Sequence, residues 1–221
     1  MTAGSREGGP AGPGAVRVLR AAHRTASAWK NGGGVTREVA ARPEGAGPDA
    51  FVWRVSIAEV AADGPFSAFP GVDRTLTLAE GAGMELTVGG VRRVVAERFA
   101  PRHFAGDEPT ACRLLSGPVV NFNVMYRRDA VRARTAVVRS DGGGRGDGHG
   151  GRGRPLALTA GPGETLLVVA LEGAAVLERP DGSGPGERLG PYDAASATGP
   201  FDRLLRTEGR AAVVRFEPLR P

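Results

Sequence analysis

Apolar residues recur mostly at every second position of this chain, in short runs cut by Gly and Pro. The runs are VRVLRA, VTREVA, FVWRVSIAEV, RTLTLAEG, MELTV and VVNFNVMYR, then, after residue 155, LALTA, ETLLVVALEG, AAVLERP and RAAVVRF. A period of two in segments rich in Val, Leu and Thr, bounded by turn residues, predicts β-strands. No segment keeps a helical period over three turns between capping residues, so the predicted class is all-β.

A repeat extends the pattern. TLTLAEGAGMEL, followed by APRHFAG and CRLL, has a counterpart in LVVALEGAAVLE, followed by GPYDAAS and DRLL. Gly81 precedes Gly173 by 92 residues, Pro101 precedes Pro191 by 90, and Arg113 precedes Arg203 by 90. Two copies are too few for a solenoid, and strand, Gly turn, strand and returning strand suit a pair of jelly-roll barrels, a bicupin. The expected divisions are a disordered tail at 1–14, a first barrel at 15–140, a flexible Gly/Arg linker at 141–154 and a second, smaller barrel at 155–221.

Composition refines this only in places. The 221 residues are 41% hydrophobic, enough for a globular core. No apolar run approaches the roughly 18 residues a membrane span needs, and the first residues lack the apolar stretch of a signal peptide. A cytoplasmic location is expected, and the lone cysteine, Cys112, agrees with a reducing compartment. The net charge of +5 suggests an anionic partner, yet residues 127–154, with eight arginines and three aspartates, account for all of it. Lys30 is the only lysine among 29 basic residues, a skew that reads as GC-rich coding rather than as a nucleic-acid face.

Candidate chemistry is sparse. Barrels of this kind often bind metal through two or three histidines and a carboxylate, but His23, His103 and His149 are scattered and form no His-x-His pair. No metal and no cofactor are expected. Cys112 in ACRLL reads as a small buried hydrophobe, and Ser67 in GPFSAF lacks the G-x-S-x-G elbow of a nucleophile. In WKNGGGVTREVA, residues 29–40, Lys30 precedes the glycines and a strand follows them. That order fits neither a phosphate-binding P-loop nor a dinucleotide fingerprint, whereas a turn with positive φ leading into a strand accounts for the glycines.

The motifs converge on a resemblance. WKNGGGVTREVA, FVWRVSIAEVAADGPFSAFPGVDRTLTLAEGAGMEL and GPVVNFNVMYRR resemble, in this order, the blocks of the HutD/Ves family of bicupin-like proteins, over about residues 15–140. The second half matches through its repeat and strand order, and the Gly-rich linker and His103 depart from the motifs. The resemblance implies two double-stranded β-helix (RmlC-like cupin) barrels in a cytoplasmic protein associated with histidine utilisation. It implies binding of a small pathway intermediate and a limit on flux, with no established reaction.

Alternation narrows the candidate pocket. In FVWRVSIAEV, Trp53, Val55 and Ile57 share one face, and Val52, Arg54, Ser56 and Ala58 the other. An Arg and a Ser among small neighbours suit a carboxylate in a barrel mouth, with Arg54 as anchor; an Arg facing solvent on an open sheet fits the pattern too, and the resemblance favours the pocket. Asn31 and Thr36, Phe66 and Ser67, Arg74, and Asn121 with Asn123 complete the ligand-binding set. Asn121 and Asn123 share a strand face, either toward ligand or as a pair holding the glycine loop.

The reading is a non-enzymatic binding protein for a small anionic metabolite, without membrane or nucleic-acid partners. Pairing of exposed barrel edges would make a homodimer. Two alternatives stay open: a metal-independent enzyme using Arg54 with Glu38 or Glu59, and an RNA-associated protein acting through the Gly/Arg linker.

Overall fold

The computed structural model of the chain describes residues 14–140 and 154–219. The tail expected over 1–14 and the linker over 141–154, with His149, lie outside these residues except for Gly14 and Arg154. Apart from one 3-10 turn, Ala21–His23, every regular element described is a strand. In chain order they are β1 (Arg17–Leu19), β2 (Ala26–Ala28), β3 (Gly34–Arg42), β4 (Trp53–Val60), β5 (Gly64–Phe66), β6 (Val72–Glu80), β7 (Met84–Val88), β8 (Val91–Val95), β9 (Arg102–Ala105) and β10 (Thr110–Leu114). There follow β11 (Val119–Arg127), β12 (Val131–Val138), β13 (Leu156–Ala160), β14 (Thr165–Glu172), β15 (Ala175–Glu178), β16 (Glu187–Leu189), β17 (Ala194–Thr198), β18 (Phe201–Thr207) and β19 (Arg210–Pro218).

These strands make four antiparallel sheets in two sandwiches. The first sandwich sets the six-stranded sheet β2-β3-β4-β11-β6-β9 against β5-β10-β7-β8, and the second sets β1-β17-β14-β19-β12 against β13-β18-β15-β16. The all-β bicupin class read from the repeat is the observed one. Two strands that precede residue 140, β1 and β12, hydrogen-bond to β17 and β19 and so belong to the second sandwich. Sequence order assigns them to the first unit; the backbone hydrogen bonds of β17 and β19, which need partners, draw them into the other sheet.

The two large sheets pack face to face. Trp53, Val55 and Ile57 of β4 and Phe122 and Val124 of β11 meet Leu167 and Val169 of β14 and Val214 and Phe216 of β19. Trp53 stacks on Phe216 with ring centroids 4.3 Å apart and planes 10° from parallel. Each large sheet is thus covered on both faces, which explains why β14, TLLVVALE, is a nearly unbroken apolar run rather than an alternating one. Its other face, Leu166, Val168 and Ala170, fills the second barrel with Leu177, Leu189, Phe201 and Leu205. The first barrel is lined by Leu76, Leu78, Met84, Leu86 and Cys112, and a separate group, Phe51, Val72 and Met125, lies against Phe69.

The duplication shows in the backbone with a shift from the sequence match: Phe99 corresponds to Tyr192, 93 residues on, so Pro101 corresponds to Ala194 rather than to Pro191. Phe99 and Tyr192, both with positive φ (66° and 62°), donate their N–H groups to Leu78 and Ala170 at 2.8 and 2.6 Å. Gly81 and Gly173 turn the chain just beyond those carbonyls, at φ 96° and 65°. A Cβ on Gly81 would stand 2.6 Å from the Pro118 carbonyl oxygen, so both conformation and space require glycine there. Nine strands, β2, β5, β8, β9, β10, β12, β16, β17 and β18, lie outside the runs read as strands: β2, β5 and β16 have three residues each, β8 is mostly exposed, β12 alternates Arg with small residues, and β17 is Ala, Ser and Thr.

Candidate functional site

Cross-strand register assembles the interior of the first barrel in rows. Arg54, Met125, Arg74 and Phe104 stand side by side on β4, β11, β6 and β9. Ser56, Asn123 and Leu76 form the next row, and Thr36, Ala58, Asn121 and Leu78 the one after, on β3, β4, β11 and β6. Neighbours within a row have Cβ atoms about 5 Å apart, so these side chains share one space. The face carrying Arg54, Ser56 and Ala58 therefore looks into the barrel, while the Trp53 face is the contact between halves.

Arg74 dominates that space. It is 6% exposed, lies between the two apolar groups of the barrel, and has its guanidinium carbon 5.1, 5.2 and 6.0 Å from the ring centres of Phe104, Phe66 and Phe69. No carboxylate pairs with it among the described residues, and its Nε is buried without a hydrogen-bond partner. Burial pushes its pKa down to about 10, which leaves the group charged at neutral pH. Asn121 and Asn123 are also buried, each with an Oδ1 that has no partner. Cation–π contacts offset part of the desolvation of a guanidinium, but an anion with hydrogen-bonding capacity would satisfy it far better.

Arg54, expected as the anchor, has an anion already. Its Nε donates to Glu38 Oε2 at 2.8 Å, and both side chains are partly exposed. Thr36 accepts a hydrogen bond from the Trp29 indole N–H at 2.8 Å, and Trp29 meets Phe66 edge to face at 5.9 Å, so the opening block forms one wall of the barrel. Asn31 is exposed, and its Oδ1 accepts from the Gly33 N–H at 3.1 Å; it shapes the loop rather than the interior. Positive φ falls on Gly32 (70°), not on Gly33. Gly34 answers a different need, since a Cβ there would lie 2.3 Å from the Glu59 carbonyl oxygen and 3.3 Å from the Trp29 ring. Ser67 is exposed in the turn after β5, away from the row residues. Of the candidate residues, Thr36, Ser56, Arg74, Asn121 and Asn123 thus lie on the barrel side of the sheet, with Phe66 against Arg74 and the Arg54–Glu38 pair beside them.

Sequence reading missed Phe104, Phe69 and Trp29 as walls. Phe104 reaches Arg74 through β6–β9 pairing, a non-local register that no short motif announces. His103, its neighbour, points to the opposite face and bonds Thr75 Oγ1 through Nδ1 at 2.8 Å. A lining of guanidinium, amides and hydroxyl offers a divalent metal no imidazole or carboxylate ligand, so it does not fit the metal chemistry common in such barrels. Cys112 is buried, with Sγ 3.6 Å from Met84 Sδ, and burial, with Asp63, pushes its pKa up to about 11, which makes it a poor nucleophile. Glu59 pairs with Arg37 on the other face of the sheet, away from Arg54. Among the described residues, the second barrel is filled by aliphatic side chains and Phe201 and holds no buried, unpaired charge like Arg74.

Two hollows lie between the halves. One, of about 470 Å³, is lined by Arg17, Arg42 and Trp53; the other, of about 780 Å³, by Glu80, Val120 and Tyr192. Neither contains a charge as deeply buried and unpaired as Arg74.

Known proteins resemble the chain throughout. It is 40% identical over 119 residues to an uncharacterised 21.2 kDa protein of the hutC 3' region of Pseudomonas putida, covering 54% of this chain and 62% of that one. It is 40% identical over 111 residues to protein Ves of Cronobacter sakazakii, covering 50% and 60%. The matches span about three-fifths of these curated relatives. Among solved structures, HutD of Pseudomonas fluorescens superposes with a TM-score of 0.76 at 30% identity, over 93% of this chain and 100% of that one. A conserved protein of unknown function from Pseudomonas aeruginosa, PA5104, gives 0.75 at 29% identity, over 92% and 98%. YlbA of E. coli, at 8% identity, shares the fold with a TM-score of 0.67 over 93% of this chain and 91% of that one. The model of the HutD family matches residues 21–214, and the chain belongs to that family.

Proposed function

We propose that the chain is a cytoplasmic, non-enzymatic binding protein of histidine utilisation whose first barrel takes a small carboxylate at Arg74. The observation that carries this reading is the charged, buried guanidinium without a counter-ion, beside two asparagines with unpaired oxygens. A buried charge is kept only where something compensates it, and a carboxylate would accept two parallel N–H bonds from Arg74 while its other polar groups meet the asparagines. The names of the relatives, HutD and a protein of the hutC 3' region, support a place in histidine utilisation. No helix described is long and apolar enough to cross a membrane. Holding a pathway acid without converting it would make the protein a sensor or buffer of flux.

Calorimetric titration with histidine, urocanate, formylated glutamate and related acids tests the reading. Binding of at least one acid, lost when Arg74 is replaced by Met, is the expected result. A ligand at 100 times its Kd adds about 2.7 kcal/mol of stability, which a thermal melt shows directly. If none of the acids binds, or if binding survives Arg74→Met, the carboxylate site is not in this barrel.

A further inference from the structure

We propose that the hollow between the halves at Glu80 and Tyr192 is a second binding site, which takes a small organic cation with a planar guanidinium-type head on a short aliphatic stem. The argument rests on the internal duplication. Phe99 and Tyr192 occupy equivalent turns, donating to the equivalent carbonyls of Leu78 and Ala170. Glu80 and Glu172 are likewise equivalent, and their cross-strand partners are Val120 and Arg210. On the Phe99 side the chain fills the space itself. The guanidinium carbons of Arg98 and Arg210 lie 4.6 and 5.2 Å from the Phe99 ring centre, and Arg98 reaches Glu172 at 3.5 Å.

On the Tyr192 side both arginines are missing. Val120 stands in place of Arg210, Pro191 precedes Tyr192 where Arg98 precedes Phe99, and a hollow of about 780 Å³ remains. Among the described residues no guanidinium covers the Tyr192 ring, and Glu80 has no ion-pair partner, only a hydrogen bond from the Tyr192 hydroxyl. The two arginines at its edge are otherwise engaged. Arg37 pairs with Glu59, and the terminal nitrogens of Arg24 donate to the carbonyls of Tyr192 and Leu19 at 2.7 and 3.1 Å. The hollow thus keeps the acid and the aromatic ring that hold a guanidinium in its counterpart, without the guanidinium. Ile57 and Val120 supply an apolar wall for a stem. A planar cation would stack on the ring and donate to Glu80, the geometry the chain uses on the other side.

The test is calorimetry on the full chain with n-butylguanidinium, its neutral isostere butylurea and butylammonium. Butylguanidinium is expected to bind at least tenfold more tightly than butylurea and more tightly than butylammonium. Glu80→Gln should weaken it at least tenfold with an unchanged melting temperature, and Val120→Arg should abolish binding by restoring the missing side chain. If Val120→Arg does not fold, Glu80→Gln decides alone. Absence of butylguanidinium binding, equal binding of butylurea, or full affinity in Glu80→Gln would overturn the proposal. None of these measurements involves Arg74, so their failure leaves the barrel site untouched.

Discussion

Replacing Arg74 by Met separates the two roles a buried arginine can have. Burial pushes the guanidinium well below the usual arginine range, to about 10. At about 1.4 kcal/mol per unit, the charged form costs the unliganded fold about 3 kcal/mol at pH 7. A depressed base carries this cost in full below about pH 10 and loses it as pH rises from there toward the ordinary arginine value. The three phenyl rings return part of it, at about 0.5 to 2 kcal/mol for a desolvated contact. Met keeps the apolar stem and packs against the same rings, so unliganded Arg74→Met should be as stable as the parent or more stable by about 1–2 kcal/mol. Carboxylate affinity should move the opposite way, because a charge-assisted hydrogen bond contributes about 1.5–3 kcal/mol, a ten- to hundredfold change in Kd. Melting curves with and without ligand read both effects. Arg54→Met is the control: that arginine is neutralised by Glu38 at a partly exposed site, so its loss should cost less than about 1 kcal/mol and change affinity less than Arg74→Met. A fall of several degrees in the melting temperature of unliganded Arg74→Met, with affinity unchanged, would show that Arg74 is structural.

Other consequences can be checked with the same protein. Gly34→Ala, which places a Cβ 2.3 Å from the Glu59 carbonyl oxygen, should cost about 2 kcal/mol or more in urea unfolding and alter Trp29 fluorescence. Gly33→Ala meets only the Asn31 side chain at 3.4 Å and should stay within about 0.5 kcal/mol; equal costs for the two would remove the reason given for the glycines. Trp53→Ala removes the ring stacked on Phe216 between the halves and should cost about 3–5 kcal/mol, with a loss below 1 kcal/mol arguing that the halves are held elsewhere. Cys112, with its pKa pushed up to about 11, should resist thiol reagents at pH 8 until the chain unfolds, and rapid labelling of native protein would contradict its burial.

The all-β class, the duplication and ten of the nineteen strands described were legible in the linear pattern because alternation and turn residues act locally, through sterics the chain carries with it. So was the face that Arg54, Ser56 and Ala58 share, since parity along a strand needs no knowledge of its neighbours. Tertiary structure decided which of two arginines is the free charge. Arg54 and Arg74 look alike in sequence, but the register that brings Glu38 to Arg54 leaves Arg74 among phenyl rings, and ion pairing depends on distances set by strands remote in the chain. The same holds for β1 and β12, which complete the second sandwich from outside its sequence range, and for Val120, whose equivalence to Arg210 emerges only when cross-strand partners are matched. Local pattern determined the strands and their faces, and long-range pairing determined which polar groups were left without partners.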